Sequence, residues 1–212
     1  MCPFDPRKAH TQIQGARSDH IKEASGGSDT AFIQDALLEQ KKKMESSSSR
    51  RKSCILIQRK EKIMKIALAC DHAGFELKEK VKKYLTGKSF EVRDLGCYSA
   101  DRVDYPLYGE KAANAVASGE CDAGVLICGT GIGISLAANK VRGIRAAVCS
   151  EPVSARLAKE HNNANIIAFG ARIVGEETAY AILDAYFAAS FQGGRHAERV
   201  GIISDIEEKN FK

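Results

Sequence analysis

The sequence predicts an α/β fold, in which a three-layer, doubly wound (Rossmann-like) five-stranded parallel sheet carries an extra C-terminal helix. From Met64 onward, short aliphatic runs alternate with longer amphipathic segments, as in sheets whose parallel strands are joined by crossover helices. The run at 125–128 is apolar throughout, which is typical of a strand buried on both faces. A glycine-rich turn follows it at once.

The elements follow one another in strict alternation. The predicted strands are 65–69, 90–94, 125–128, 145–149 and 166–169. The predicted helices are 75–85, 105–117, one ending near 140, one beginning at Pro152 (a residue suited to a first helical turn), 176–189, and a last one beginning near Arg195. We expect the strand order 2-1-3-4-5, which places a ligand at the carboxyl ends of strands one and three, where the order reverses.

The first 63 residues differ from the rest. They hold 13 Lys and Arg against 8 Asp and Glu, with serine-rich and lysine-rich patches and few aromatic residues. Such a composition buries too little apolar surface to offset the entropy of ordering, so we expect residues 1–63 to be a polar, disordered leader, or an upstream stretch that is translated only because the true start at Met64 is misplaced. A basic tether or a targeting peptide is the alternative, although the acidic residues argue against a transit peptide. Residues 64–212 form the predicted catalytic domain.

Charge and cysteine content exclude several classes of function. Residues 64–212 hold 19 basic and 19 acidic residues, so nothing favours a nucleic acid partner. No apolar run is long enough to span a membrane, and the first residues lack the pattern of a secretory signal. The seven cysteines include no CxxC pair, which favours free thiols in a reducing, cytoplasmic compartment and argues against zinc.

Cys128 is the most informative residue, because it joins the buried third strand to the turn Gly129-Thr130-Gly131-Ile132-Gly133. Glycines there let backbone N–H groups turn toward a bound anion. The following helix N-terminus favours a thiolate. A potential base beside an oxyanion site suggests chemistry on a small anionic substrate. The turn lacks the residues that a tyrosine phosphatase loop, a Walker loop or a dinucleotide-binding fingerprint requires.

Histidine and arginine side chains supply the other candidates. His72, His161 and His196 each lie at a predicted loop or helix end, where an imidazole is available as acid or base. Arg195 and Arg199 are four residues apart and therefore share one helix face. Two guanidinium groups so placed match a phosphate, although a solvated basic face is the commoner explanation.

Together these motifs resemble ribose-5-phosphate isomerase type B. The resemblance runs from Met64 to the C-terminus and rests on the segments 70–74, 104–106, 127–133, 139–140, 149–152, 161–162, 169–172 and 193–196. It implies interconversion of ribose 5-phosphate and ribulose 5-phosphate through an enediolate, in the pentose phosphate pathway, without metal or organic cofactor. It also implies a homodimer or a dimer of dimers whose active sites are shared between subunits.

The resemblance also assigns roles to individual residues. Cys128 becomes the base that moves a proton between C1 and C2, and His161 the acid that opens the sugar ring. Asp71 and His72 contact the sugar, and Thr130 assists at the enediolate oxygen. The remaining substrate-binding positions are Gly129, Gly131, Ile132 and Gly133, whose amides hold the enediolate oxygen, and Asn162, Arg172, Arg195 and Arg199, with the arginines chiefly at the phosphate.

Two alternatives stay open from the sequence. One is a related isomerase acting on allose 6-phosphate or galactose 6-phosphate. The presence of Cys128 and His161 in one chain favours an enzyme that needs no second type of subunit. The other alternative is a non-catalytic phosphosugar-binding protein or thiol sensor on the same fold. A sensor requires Cys128 and Cys70 to lie close enough to pair.

Overall fold

The computed structural model describes Glu39 and residues 63–211. The account that follows concerns the compact unit of residues 61–212. The predicted leader, residues 1–63, lies almost wholly outside the described residues, so its nature stays a prediction.

Five strands form one sheet, and every pairing in it is parallel. The strands are β1 (Lys65–Cys70), β2 (Glu91–Asp94), β3 (Ala123–Cys128), β4 (Ala146–Val148) and β5 (Ile166–Gly170). The helices are α1 (Phe75–Gly87), α2 (Tyr105–Ala117), α3 (Ile132–Ala138), α4 (Pro152–Asn162), α5 (Glu176–Ala188) and α6 (Arg195–Asn210), and a short 3-10 turn covers His72–Gly74. The predicted fold class and the alternation of elements are confirmed.

The expected strand order is wrong at one edge. The sheet runs β2-β1-β3-β5-β4, so the last strand in sequence inserts between β3 and β4. Burial explains the exchange, because all residues of Ile166–Gly170 are buried whereas Ala146–Val148 is short and partly exposed. Short, partly exposed strands are suited to the edge of a sheet, and continuous apolar strands to its centre. The end of β5 consequently lies next to Cys128.

Helices cover both faces of the sheet. One face packs under α1, α4 and α5, through apolar residues that include Val81, Ala155 and Ile182. The other face packs under α2 and α3, through residues that include Ala112 and Ile134. Because both faces are covered, β1, β3 and β5 are almost entirely buried and hold the site rigidly at their carboxyl ends.

Helix α3 ends at Ala138, two residues before the predicted end, because Asn139 makes another set of bonds. Its side-chain nitrogen, Nδ2, donates to the Ala146 carbonyl at 2.9 Å, and its side-chain oxygen, Oδ1, accepts from the Ala146 N–H at 2.7 Å. The edge strand β4 is thereby tied to the end of α3. It is also shorter than the predicted strand 145–149.

Helix α6 is the predicted extra C-terminal helix, and it packs on α4. Most of its surface is open, and Ile202, Ile203 and Ile206 are each about half exposed, at 57%, 46% and 57%. Within residues 63–211, none of the helices combines the length and the apolar character that crossing a bilayer requires.

Candidate active site

The carboxyl ends of β1 and β3 lie side by side, as the sequence predicts. Cys70 is in register with Ile127, and the Asp71 N–H donates to the Ile127 carbonyl at 3.1 Å. The turn after β1 also approaches β3 closely, since a Cβ at Gly74 would lie 2.7 Å from the same carbonyl oxygen. The segments that follow the two strands therefore form one wall.

Cys128 lies at the end of β3, where only 4% of it is exposed. Its sulfur accepts a hydrogen bond from the Gly131 N–H at 3.1 Å. Gly131 has φ +80° and is the N-cap of α3, so the chain turns there in a conformation that favours glycine. A backbone donor and the N-terminal end of a helix thus face the sulfur.

The loop after Cys128 is pressed against the end of β5. A Cβ at Gly131 would lie 2.7 Å from the carbonyl carbon of Phe169, and one at Gly170 would lie 2.6 Å from the backbone of Thr130. The atoms that such a Cβ would meet belong to the backbone, which cannot move aside as a flexible side chain can. Because β5 lies between β3 and β4 in the sheet, its end is next to this loop. The amides of the loop are consequently held in fixed positions.

Arg172 reaches the same edge from β5. Its N–H donates to the Gly129 carbonyl at 3.1 Å, and its guanidinium lies 3.6 Å from the position of a Cβ on Gly129. The neighbouring Ala171 N–H donates to the Cys128 carbonyl at 2.8 Å. An exposed cation is therefore placed beside the glycine loop, in reach of an anionic ligand.

Asp71 and His72 are fixed by different partners. The Asp71 carboxylate is buried, and its Oδ1 caps the short turn by accepting from the Gly74 N–H at 3.0 Å. The Nδ1 atom of His72 lies 3.2 Å from the oxygen and 3.3 Å from the nitrogen of Val103, on the segment between β2 and α2. The backbone of Val103 thus occupies Nδ1 and sets the orientation of the ring.

Tyr105 belongs to this edge but is missing from the predicted site residues. Its ring covers Gly133, where a Cβ would lie 2.6 Å from the Tyr105 Cζ atom. Glycine at 133 leaves room for this ring, whereas Ile132 beside it is 55% exposed. The Asp104-Tyr105-Pro106 motif contributed to the resemblance without a role for the tyrosine, because a contact across two helices has no local sequence pattern.

A second cluster joins the end of α4 to the start of α6. The His161 and His196 rings stack with their centroids 4.2 Å apart and their planes 5° from parallel. Arg195 and Arg199 are exposed in the first turns of α6, and Asn162 is exposed at the last residue of α4. This cluster brings together two of the three histidines, and both arginines of the pair, that the sequence singled out.

Within one chain, this histidine–arginine cluster does not meet Cys128. Helix α4 ends just before β5 begins at Ile166, which pairs with Gly124, whereas Cys128 pairs with Gly170 at the other end of β5. The four-residue step along β5 corresponds to about 13 Å. The structure therefore places Cys128 and His161 at opposite ends of the sheet.

Comparison with known proteins decides the family. A family model described as Ribose/Galactose Isomerase matches residues 66–203. The chain belongs to the ribose/galactose isomerase family. This isomerase is 54% identical over 145 residues to ribose-5-phosphate isomerase B of Escherichia coli, a match that covers 68% of this chain and 97% of that protein. It is 46% identical over 145 residues to a galactose-6-phosphate isomerase subunit of Clostridium acetobutylicum, covering 68% and 83% respectively.

Solved structures agree with the family assignment. The isomerase superposes on ribose-5-phosphate isomerase B of Clostridium thermocellum with a TM-score of 0.68 at 54% identity, covering 69% of this chain and 99% of that one. The match confirms the Rossmann-like fold and the resemblance to ribose-5-phosphate isomerase type B.

The histidine–arginine cluster contains one group whose pKa is shifted by its surroundings. At the helix α4 end, burial and the neighbouring His161, Arg195 and Arg199 lower the pKa of His196 below its ordinary value. Burial and the nearby cations consequently favour the neutral form of His196, so the arginines are the permanent charges of this cluster. Among residues 63–211, no group of three or more His, Cys, Asp or Glu is arranged to hold a metal ion.

Proposed function

We propose that this isomerase interconverts ribose 5-phosphate and ribulose 5-phosphate. The observation that carries the proposal is the Cys128 sulfur, held 3.1 Å from the Gly131 N–H at the start of a loop of fixed amides. The thiolate removes a proton from the carbon next to the sugar carbonyl and returns it to the former carbonyl carbon. The enediolate oxygen that forms between these steps accepts hydrogen bonds from the loop, and each such donor is worth about 3 kcal/mol of barrier.

The remaining residues bind and open the sugar. Asp71 and His72 contact the sugar hydroxyls, and Thr130 assists beside the loop. Arg172 takes part in phosphate binding from its exposed position near Gly129. His161 acts as the acid that opens the furanose ring. The phosphate supplies binding energy remote from the reacting carbons, which orients them at the sulfur.

The function is tested by comparing kcat/KM on phosphosugars of different length. We expect ribose 5-phosphate to exceed allose 6-phosphate and galactose 6-phosphate by at least about tenfold, the discrimination that one extra carbon unit supports. Purified full-length protein and a coupled assay for the ketose product are sufficient. Higher kcat/KM on either hexose phosphate would overturn the pentose assignment in favour of the alternative substrate.

We further propose a homodimer in which His161, Asn162, Arg195 and Arg199 of one subunit complete the site around Cys128 of the other. The opposite placement of the two clusters in one chain supports this, because no loop movement spans the length of β5. Apolar surface supports it as well: Ile132 and Leu136 are 55% and 59% exposed on α3, directly after the glycine loop. A cavity of about 430 Å³ between β4 and α6, lined in part by Ile144, Ile203 and Asn162, offers a complementary apolar surface.

Mixing two inactive variants tests the shared site. We expect Cys128→Ala and His161→Ala each to be inactive alone, and their equimolar mixture after subunit exchange to recover about a quarter of the wild-type activity, because half of the randomly formed dimers contain one intact site. The measurement is ribose 5-phosphate turnover before and after exchange under mild denaturant. A mixture no more active than its components would place Cys128 and His161 in the same subunit's site.

We also propose a domain boundary and a cellular compartment for this isomerase. We infer that residues 64–212 form the catalytic domain, supported by the family match over residues 66–203. A cytoplasmic location is supported by five free, buried cysteines among the described residues, since free thiols are typical of reducing compartments.

A further inference from the structure

Two cysteines that the reaction does not use lie in contact at the end of β1. The sulfurs of Cys70 and Cys97 are 3.6 Å apart, and the two residues are 0% and 2% exposed. Cys70 packs in the core on one face of the sheet and Cys128 in the core on the other face. The thiol facing Cys70 is therefore Cys97, and not Cys128 as the sensor alternative required.

The backbone geometry at this pair suits a disulfide. The Cys70 N–H donates to the Gly96 carbonyl at 2.6 Å, and the Cys97 N–H donates to the Cys70 carbonyl at 2.9 Å. Hydrogen bonds of this kind hold neighbouring strands about 4.8 Å apart. Disulfides span Cα separations of about 4.4–6.8 Å. The segments that carry Cys70 and Cys97 thus lie at a spacing that a disulfide can span, and the two sulfurs need to approach each other.

A buried cation faces the same pair. The Lys78 ammonium is fully buried, donates to the Cys97 carbonyl at 2.8 Å and pairs with Asp94 at 2.9 Å. Burial raises the pKa of the Cys70 thiol, as does the nearby Cys97, whereas Lys78 lowers it. Cys97 lies on the irregular segment between β2 and α2, with its thiol donating to the Ser99 carbonyl at 3.2 Å. Because Cys97 lies outside the sheet and Cys70 within it, we infer that Cys97 is the thiol that reacts first with a reagent.

We propose that Cys70 and Cys97 form a reversible disulfide, with a hydroperoxide as the oxidant. The Cys97 sulfur attacks the terminal oxygen of the hydroperoxide as its thiol proton is released. The O–O bond breaks, the sulfur gains a hydroxyl as a sulfenic acid, and the released alkoxide takes that proton to leave as an alcohol. The Cys70 sulfur then attacks the Cys97 sulfur as the Cys70 thiol proton is released, so the S–S bond forms and the S–O bond breaks. The hydroxide leaves as water with the Cys70 proton. Two thiols are oxidised by two electrons and one hydroperoxide is reduced.

The disulfide is coupled to the site of the proposed function. Cys70 is followed directly by Asp71, and His72 is held by Val103, on the same segment as Cys97. Drawing the two sulfurs from 3.6 Å to bonding distance shifts one or both of these attachments. This step rests on the assignment of Asp71 and His72 to sugar binding. We expect oxidation to weaken phosphosugar binding.

The test uses the full-length Cys128→Ala variant, so that oxidation of Cys128 plays no part. After treatment with hydrogen peroxide, tryptic peptides 66–78 and 94–102 are expected as one unreduced species lighter by two hydrogen atoms than their sum. We expect the Kd for ribose 5-phosphate to rise about tenfold, a cost of about 1.4 kcal/mol, and to recover with dithiothreitol. Adding Cys97→Ser, which keeps a donor to Ser99, abolishes both effects, whereas adding Cys121→Ser leaves them.

Three results would contradict parts of this scheme separately. If other cysteines of the chain are oxidised and the joined peptides are still not found, the proposed disulfide does not form. Joined peptides with an unchanged Kd overturn its coupling to the sugar site. If the reduced variant does not bind ribose 5-phosphate, the proposed function fails, and the peptide measurement still decides whether the disulfide forms.

Discussion

Replacing Cys128 by alanine should lower kcat for ribose 5-phosphate by about 10³-fold, within the range that a positioned base contributes. The sulfur is the only heavy atom removed; the Gly131 N–H loses its acceptor, but the Cys128 and Gly129 carbonyls keep their bonds from the Ala171 and Arg172 N–H groups, which hold the loop in place. The Kd for the substrate is therefore expected to change little. Steady-state kinetics and titration calorimetry on the same preparation measure the two quantities.

Cys121→Ala is the matched control for this loss. Cys121 is also buried, at 2% exposed, but it lies just before β3 begins, at the opposite end of that strand from Cys128. Its removal should reduce stability by a small-cavity cost and leave kcat unchanged. Full turnover by Cys128→Ala would show that another group moves the proton.

Replacing Gly131 by alanine should be the most damaging change in the loop. The residue has φ +80°, and its new Cβ would lie 2.7 Å from the Phe169 carbonyl carbon. The left-handed conformation costs about 1–2 kcal/mol for a residue with a Cβ, and overpacking against backbone costs a further 1–3 kcal/mol or so. We expect the free energy of unfolding to fall by about 3 kcal/mol and kcat/KM by about 100-fold, since a 1 Å displacement of the amides is that costly.

Gly119→Ala separates the cost of the left-handed conformation from the cost of the contact with Phe169. Gly119 has φ +76°, nearly the same conformation, but a Cβ there meets nothing within 4 Å. Urea denaturation of both variants should show only the conformational cost in Gly119→Ala, with kinetics unchanged. Equal destabilisation of the two variants would mean that the contact with Phe169 contributes nothing.

Sequence patterns predicted the parts of the site that depend on neighbouring residues. The run that ends at Cys128 and the glycines after it define a buried strand and a tight turn, and the ends of β1 and β3 meet because parallel strands end at one edge. The predicted position of β5, at the edge of the sheet, was wrong, because order along the chain does not fix order across a sheet. The complete burial of Ile166–Gly170 is the property that places it centrally.

Other features depended on contacts that no short pattern contains. Tyr105 covers Gly133, and Cys97 meets Cys70, across segments that are far apart in sequence. The stack of His161 on His196 likewise joins two helices. The sequence identified both histidines as candidates because of their loop positions, but only the fold shows that they share one cluster at the far end of β5.

The bonds from Asn139 to Ala146 have a consequence for the solution behaviour of the protein. An outer strand with free N–H and C=O groups invites pairing with a strand of another molecule, which leads to edge-to-edge aggregation. Here one side chain takes both backbone groups of Ala146, so a foreign strand finds neither the donor nor the acceptor vacant at that position of β4. The amide at 139 therefore protects the sheet as well as ending a helix.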